Sequence, residues 1–175
     1  MLSLQEIQSL ITDYPDFPKP GVIFKDIMPV LAHPEGLSSF NKHFQNQLDK
    51  LNDKPDAIIG IDARGFILGA ALASELNLPF VPVRKKGKLP GEIISYEYEL
   101  EYGSDCLEIQ KSIVRDYRNV VLVDDLLATG GTILATEKLC SHLGLNILCS
   151  LFVIELVDLD GRNKLNSPIH TMFSY

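Results

Sequence analysis

One segment limits the fold of this chain more than any other, residues 120–132, whose sequence is VVLVDDLLATGGT. Four apolar residues run into the adjacent acids Asp124 and Asp125, a small glycine-rich turn follows, and a helical pattern begins after it. This pattern predicts a buried strand, a loop and a helix. Such units build open α/β sheets, in which ligands collect at the carboxyl ends of the strands.

The remaining chain repeats this alternation of strands and helices. Apolar runs predict strands at residues 57–61, 80–83, 120–123 and 147–156, with a short last one at 169–173. Helical spacing predicts helices at residues 34–51, 65–76 and 131–143, and near the N-terminus. We therefore expect an α/β fold, a parallel-rich sheet flanked by helices, in a single domain of residues 1–175.

Two segments depart from this pattern. Residues 14–21 contain three prolines and are predicted to be non-helical. Residues 84–110 begin with a basic cluster and continue with tyrosines that alternate with charged residues. The second pattern is typical of a half-exposed antiparallel hairpin or a mobile flap.

Composition excludes several classes of protein. With 46% apolar and 22% charged residues the chain is globular, and it has no apolar run of the roughly 20 residues that span a bilayer. Its net charge of −7 argues against tight nucleic-acid binding. The three cysteines form no CxxC pair and predict reduced thiols. The N-terminus lacks the pattern of a secretory signal, so we expect a cytoplasmic protein with no membrane and no nucleic-acid partner.

The turn at residues 128–132 is predicted to bind an anion. Its backbone N–H groups lie at a helix N-terminus, where the helix dipole favours negative charge. It is neither a GxxxxGK[ST] loop nor a GxGxxG turn. Asp124 and Asp125 would repel a phosphate, unless they accept hydrogen bonds from ribose hydroxyls or help to organise a hydrated Mg²⁺ ion. The alternative is a tight turn with solvated acids.

Four further segments accompany this turn, and together they suggest a family. They are residues 14–27 (YPDFPKPGVIFKDI), 62–66 (DARGF), 84–91 (RKKGKLPG) and 100–103 (LEYG). In order and spacing the chain resembles the type I phosphoribosyltransferases, and among them the enzymes that use adenine. The resemblance implies that the chain forms AMP and diphosphate from adenine and 5-phospho-α-D-ribose 1-diphosphate. It also implies Mg²⁺ bound mainly through the substrate, with no direct metal ligand, and a homodimer.

The resemblance also assigns roles to residues. Asp124 and Asp125 would bind the ribose hydroxyls, and the 5′-phosphate would lie on Ala128, Thr129, Gly130, Gly131 and Thr132. The diphosphate would be held by Asp62, Ala63, Arg64, Arg84, Lys85 and Lys88. Adenine would contact Ile23, Phe24, Lys25 and Leu127 in an N-terminal hood of about residues 1–33. The flap of about residues 84–110 would carry Tyr102 and Glu101, and either Glu101 or Asp125 would handle the proton of the base.

Two rival functions stay open. The same transfer to hypoxanthine, guanine or xanthine would use an equivalent ribose loop. A regulator that senses phosphoribosyl diphosphate and binds nucleic acid would need an added DNA-binding segment or a basic face. A sequence pI of about 5.0 argues against the regulator.

Overall fold

The computed structural model describes residues 1–99 and 104–175. Its strands, numbered along the chain, are β1 (Thr12–Pro15), β2 (Ile23–Asp26), β3 (Ala57–Ile61), β4 (Phe80–Lys85), β5 (Ile93–Glu99), β6 (Ser104–Gln110), β7 (Asn119–Leu127), β8 (Asn146–Glu155) and β9 (Ile169–Ser174). The helices are α1 (Leu4–Leu10), α2 (Met28–Leu31), α3 (Gly36–Leu48), α4 (Arg64–Leu76), α5 (Lys111–Val114) and α6 (Gly131–His142). Two 3₁₀ helices span Val157–Leu159 and Arg162–Lys164.

A seven-stranded sheet forms the centre, in the order β5-β6-β4-β3-β7-β8-β9. The pairs from β4 through β3, β7 and β8 to β9 are parallel. β6 pairs antiparallel with both β4 and β5. The expected parallel-rich α/β sheet is confirmed, with the hairpin β5–β6 at one edge.

Apolar side chains cover both faces of this sheet. One buried cluster joins α1, α3 and α4 to the sheet through residues such as Ile7, Phe40 and Leu72. The other packs α6 against the opposite face through residues such as Leu139 and Phe152. Burial at about 25 cal/mol per Å² of apolar surface makes these two layers the main stabilising contribution to the fold. None of the helices in the described ranges is both long and apolar enough to cross a membrane.

The β7 strand is longer than the sequence pattern predicts. Its apolar run ends at Val123, but pairing with β8 continues through Asp124, opposite Phe152, to Leu127, opposite Glu155. The acid pair therefore lies on the last part of the strand instead of in the loop after it. A strand partner that extends to Glu155 satisfies the backbone groups beyond Val123, which local sequence patterns do not reveal.

The N-terminal residues form a small two-stranded sheet that is separate from the central one. β1 and β2 pair antiparallel, and the rings of Phe17 and Phe24 meet edge to face at 5.3 Å. α1 begins at a capping box in which Ser3 and Glu6 satisfy each other's backbone N–H groups.

Candidate active site

A crevice of about 460 Å³ opens at the carboxyl ends of the central strands. It is lined by Asp62, Ala63, Arg64, Lys85, Tyr98, Asp105, Leu107, Asp124, Asp125 and Thr132. A second hollow of about 220 Å³ adjoins it, because Arg64, the two acids and Thr132 line both. The second hollow also includes the whole turn 128–131. The structure thus brings the predicted ribose, phosphate and diphosphate segments to one place.

Asp124 and Asp125 share a region of low solvent access. Asp125 is 7% exposed, its Oδ2 lies 2.9 Å from Arg64 Nε, and its N–H donates to Asp124 Oδ1 at 2.9 Å. Burial and the neighbouring Asp125 charge raise the pKa of Asp124 well above its ordinary value. Burial also raises the pKa of Asp125, although the Arg64 guanidinium opposes that rise. A ligand with hydroxyl donors or developing positive charge would relieve this repulsion.

The burial of Asp124 and its repulsion by Asp125 predict that Asp124→Asn stabilises the fold. An acid with a raised pKa binds its proton more tightly folded than unfolded, so its contribution to stability falls as pH rises from the unfolded pKa, about 3.9, through the folded value. We expect the variant to raise Tm at pH 8, by roughly 2–4 °C per kcal/mol relieved, and to lose this gain towards pH 4. Thermal unfolding at several pH values measures it. Asp53→Asn, on an exposed loop, is the control, and a gain that did not depend on pH would contradict the explanation.

The predicted phosphate turn has the geometry of an anion site. α6 begins at Gly131, and Gly130 before it has a φ of +81°, which favours glycine. The first N–H groups of a helix have no partner within the helix, so they face whatever lies at its N-terminus. Tyr98 lies beside this end of the helix, with its hydroxyl 3.5 Å from Thr132 Oγ1. The site can therefore accept a phosphate with backbone and hydroxyl donors.

The N-terminus of α4 is held tightly against the end of β7. A Cβ on Gly65 would lie 2.6 Å from the Val123 carbonyl oxygen and 3.0 Å from Asp124 Oδ1, so this approach requires glycine. Just before α4, the peptide bond between Asp62 and Ala63 is cis. This packing places Arg64 next to Asp125.

The predicted diphosphate cations have acidic partners in this structure. Arg84 Nε lies 3.1 Å from Asp62 Oδ2, and Lys85 Nζ lies 3.0 Å from Asp105 Oδ2. The bond to Asp105 raises the pKa of Lys85, so this lysine is charged at neutral pH. Lys88 is exposed in the turn after β4 and is not among the residues that line the crevice. Arg84 does not line the crevice either, whereas Lys85 does, so Lys85 has the position and charge to receive an anion in place of a carboxylate.

The predicted adenine contacts are divided between two environments. The Arg64 guanidinium lies over the Phe24 ring at 5.2 Å, which connects β2 to the crevice. Leu127 is buried and lines the turn hollow, whereas Ile23 is 55% exposed. The Lys25 ammonium is bonded to Asp13 at 2.6 Å and lies over the Tyr175 ring at 4.1 Å. The structure therefore places Phe24 and Leu127 near the acid pair and directs Lys25 to Asp13 and Tyr175.

Two site predictions fall outside the described residues, and some residues at the site were not predicted. Glu101 and Tyr102 lie outside the described residues and stay predictions. Within residues 1–99 and 104–175, no group of three or more acids, histidines or cysteines has the arrangement of a metal site. The sequence reasoning missed Tyr98, Gly161 and Lys164, which all contact the phosphate turn. The alternating tyrosines of the edge hairpin were the available signal for Tyr98. For Gly161 the available signal was the residue type itself, because glycine permits a close backbone contact.

Comparison with known proteins agrees with this geometry. A family model described as Phosphoribosyl transferase domain matches residues 29–153. The chain is 49% identical to an adenine phosphoribosyltransferase of Gloeothece citriformis, over 97% of this chain and 99% of that one. It is 43% identical to the one of Drosophila pseudoobscura, over 98% of this chain and 95% of that one.

Solved structures extend the likeness to three dimensions. The adenine phosphoribosyltransferase of Saccharomyces cerevisiae, complexed with an imino-altritol bisphosphate and adenine, superposes with a TM-score of 0.94 at 42% identity, over 97% of this chain and 98% of that one. The enzyme of Thermoanaerobacter pseudethanolicus gives 0.94 at 48% identity, over 99% and 100%.

Proposed function

Because this chain belongs to the phosphoribosyl transferase family, and within it to the adenine phosphoribosyltransferases, we propose that its crevice joins adenine to the phosphoribosyl group of 5-phospho-α-D-ribose 1-diphosphate. The products are AMP and diphosphate, as in purine salvage. The observation that supports this most is the acid pair Asp124 and Asp125 directly beside the anion-binding start of α6. A sugar phosphate matches this arrangement, because its phosphate can accept hydrogen bonds from the helix N–H groups and its hydroxyl groups can donate to the carboxylates.

In this reaction a nitrogen of adenine attacks the anomeric carbon while diphosphate departs. Positive charge develops on the ribose ring, and the charge of the acid pair favours it. Asp124 and Asp125 accept hydrogen bonds from the ribose hydroxyls, and the turn 128–132 holds the 5′-phosphate. Catalysis comes mainly from positioning and electrostatics, which together lower the barrier without a covalent intermediate.

The departing diphosphate needs its own hydrogen-bond donors and cations, separate from the turn that holds the 5′-phosphate. The turn of Ala63 and Arg64 at the start of α4 offers backbone N–H groups, and Asp62 orients Arg84. Lys85 exchanges Asp105 for the diphosphate, since its side chain is largely exposed and ends in a flexible stem. Lys88 would approach from the turn after β4.

The adenine ring would lie between the hood and the acid pair. Ile23, Phe24, Lys25 and Leu127 are its proposed contacts, with Phe24 the best supported because Arg64 joins its ring to the crevice. Asp125 is the proposed proton carrier among the described residues, because its raised pKa brings it nearer to neutral pH. Glu101 is the alternative carrier.

We also propose the wider setting of the protein. Mg²⁺ fits this crevice as an ion carried by the substrate, because Asp124 and Asp125 can organise its water shell. When bound, it supplies charge that offsets the diphosphate.

Exposed apolar side chains such as Ile67 agree with a homodimer, and the three free cysteines agree with the reducing cytoplasm. We propose no nucleic-acid or membrane partner. Residues 1–175 act as one domain, with a hood at about 1–33 and a flap at about 84–110.

A base-selectivity assay tests the proposal. With Mg²⁺ and phosphoribosyl diphosphate, we expect rapid nucleotide formation from adenine and at least about 100-fold lower kcat/KM for hypoxanthine, guanine and xanthine, because a site that hydrogen-bonds one base edge rejects the others. Inert adenine beside another reactive purine would contradict the hood assignment. If no base reacts, the enzyme proposal is wrong, and a mobility-shift experiment would then test the nucleic-acid-binding regulator.

A further inference from the structure

A segment behind the phosphate turn has no role in the mechanism above. We call residues 157–165 the supporting segment; they include both 3₁₀ helices. Arg162 fastens it to the sheet through two bonds to Glu155, from Nε to Oε1 at 2.8 Å and from Nη2 to Oε2 at 2.5 Å. Glu155 is 5% exposed at the end of β8. This two-point bond fixes the segment next to the end of β7, where Leu127 pairs with Glu155.

The backbones of the supporting segment and the phosphate turn touch at two glycines. A Cβ on Gly161 would lie 2.1 Å from the Ala128 carbonyl oxygen and 2.8 Å from the Gly130 nitrogen. A Cβ on Gly130 would lie 2.7 Å from the Gly161 carbonyl oxygen. Both residues must therefore be glycine for this contact to form. Packing this close leaves the turn no room to relax towards the segment.

Lys164 adds a polar link to the same turn. Its Nζ donates to the Thr129 carbonyl oxygen at 2.8 Å. A trans peptide is planar with its C=O and N–H pointing to opposite sides, so a carbonyl held by Lys164 directs the Gly130 N–H the other way. An anion-binding turn works only if its carbonyls point away from the anion and its N–H groups towards it. The ammonium also places a positive charge beside the turn.

We propose that Lys164, together with Gly161, is a positioning residue that prepares the turn 128–132 for the 5′-phosphate. Lys164 acts through the Thr129 carbonyl and through Gly130, and its effect is specific to ligands that carry the phosphate. The inference rests on the proposed function in one respect, the identity of the anion as the 5′-phosphate of a ribose. The side chain of Lys164 is exposed, so its removal changes the turn without opening the core.

Lys164→Met tests this inference through ribose 5-phosphate binding, measured by calorimetry. We expect binding about tenfold weaker than in the unchanged protein, equivalent to roughly 1.4 kcal/mol. KM for phosphoribosyl diphosphate rises by about the same factor, while KM for adenine stays within about twofold and Tm within about 2 °C. Lys164→Arg recovers most of the affinity because it keeps a charged donor. Lys138→Met, which removes an exposed lysine of α6, is the matched control and leaves binding unchanged.

A second variant and four outcomes complete the test. Gly161→Ala forces the turn to move and is expected to weaken ribose 5-phosphate binding at least as much as Lys164→Met. Unchanged binding in Lys164→Met, or equal losses for adenine and ribose 5-phosphate, would overturn the inference. Absence of ribose 5-phosphate binding in the unchanged protein would overturn it as well. If ribose 5-phosphate binds but no AMP forms, the proposed reaction fails, and the calorimetric comparison still decides the role of Lys164.

Discussion

Asp125→Asn is expected to lower kcat/KM for AMP formation by about 10²–10³-fold. Asparagine keeps the shape of the side chain but removes the charge that pairs with Arg64 at 2.9 Å. It also removes the charge that favours a cationic ribose ring and the group that can accept the proton of adenine. Because Asp125 is buried, water cannot replace what is lost. Initial rates with labelled adenine, at several concentrations of each substrate, measure the effect.

Two comparison variants make this experiment decisive. Asp53→Asn removes the same charge from an exposed loop and should leave kcat/KM within about twofold, as surface substitutions usually do. Glu101→Gln tests the other proposed proton carrier. A loss below about tenfold in Asp125→Asn, with a large loss in Glu101→Gln, would assign the proton to Glu101 and leave Asp125 a ribose contact.

The predictable part of this site lies within single segments of the chain. The strand, acid pair, glycine turn and helix at residues 120–142 follow from local patterns, because each depends on residues next to one another. The same holds for α4 after β3. The end of β7 at Leu127 was not predictable, since it depends on β8 as a partner for Asp124 and Leu126. Local propensity sets an element's type, and tertiary pairing sets its length.

The unpredicted contacts join segments that are distant in sequence. Lys164 reaches Thr129 and Gly161 meets Gly130 in a segment that the bond from Arg162 to Glu155 helps to hold in place. Tyr98 reaches Thr132 because the edge hairpin packs over α6. The basic cluster shows the opposite limit: its charges were visible in the sequence, but the carboxylates of Asp62 and Asp105 that hold two of them were not.

Arg64→Gln is expected to lower kcat/KM at pH 7 by about 10²-fold and to move the acid limb of the pH–rate profile to higher pH. Burial raises the pKa of Asp125 and the Arg64 guanidinium opposes that rise, so without Arg64 the pKa rises further. A carboxyl group with a higher pKa stays protonated up to a higher pH. The reactive carboxylate therefore appears only at higher pH in the variant. Rates between pH 5.5 and 9 measure the shift.

The pH dependence separates two roles of Arg64. If Arg64 keeps Asp125 ionised, the deficit of Arg64→Gln shrinks as pH rises towards 9, because a growing fraction of Asp125 in the variant is then a carboxylate. If Arg64 acts only by binding diphosphate, the deficit is the same at every pH and appears in KM for phosphoribosyl diphosphate. Arg115→Gln breaks an exposed ion pair with Asp116 and should change neither the rate nor the profile. A constant deficit would therefore reject Arg64 as the charge that tunes Asp125 and keep it as a diphosphate contact.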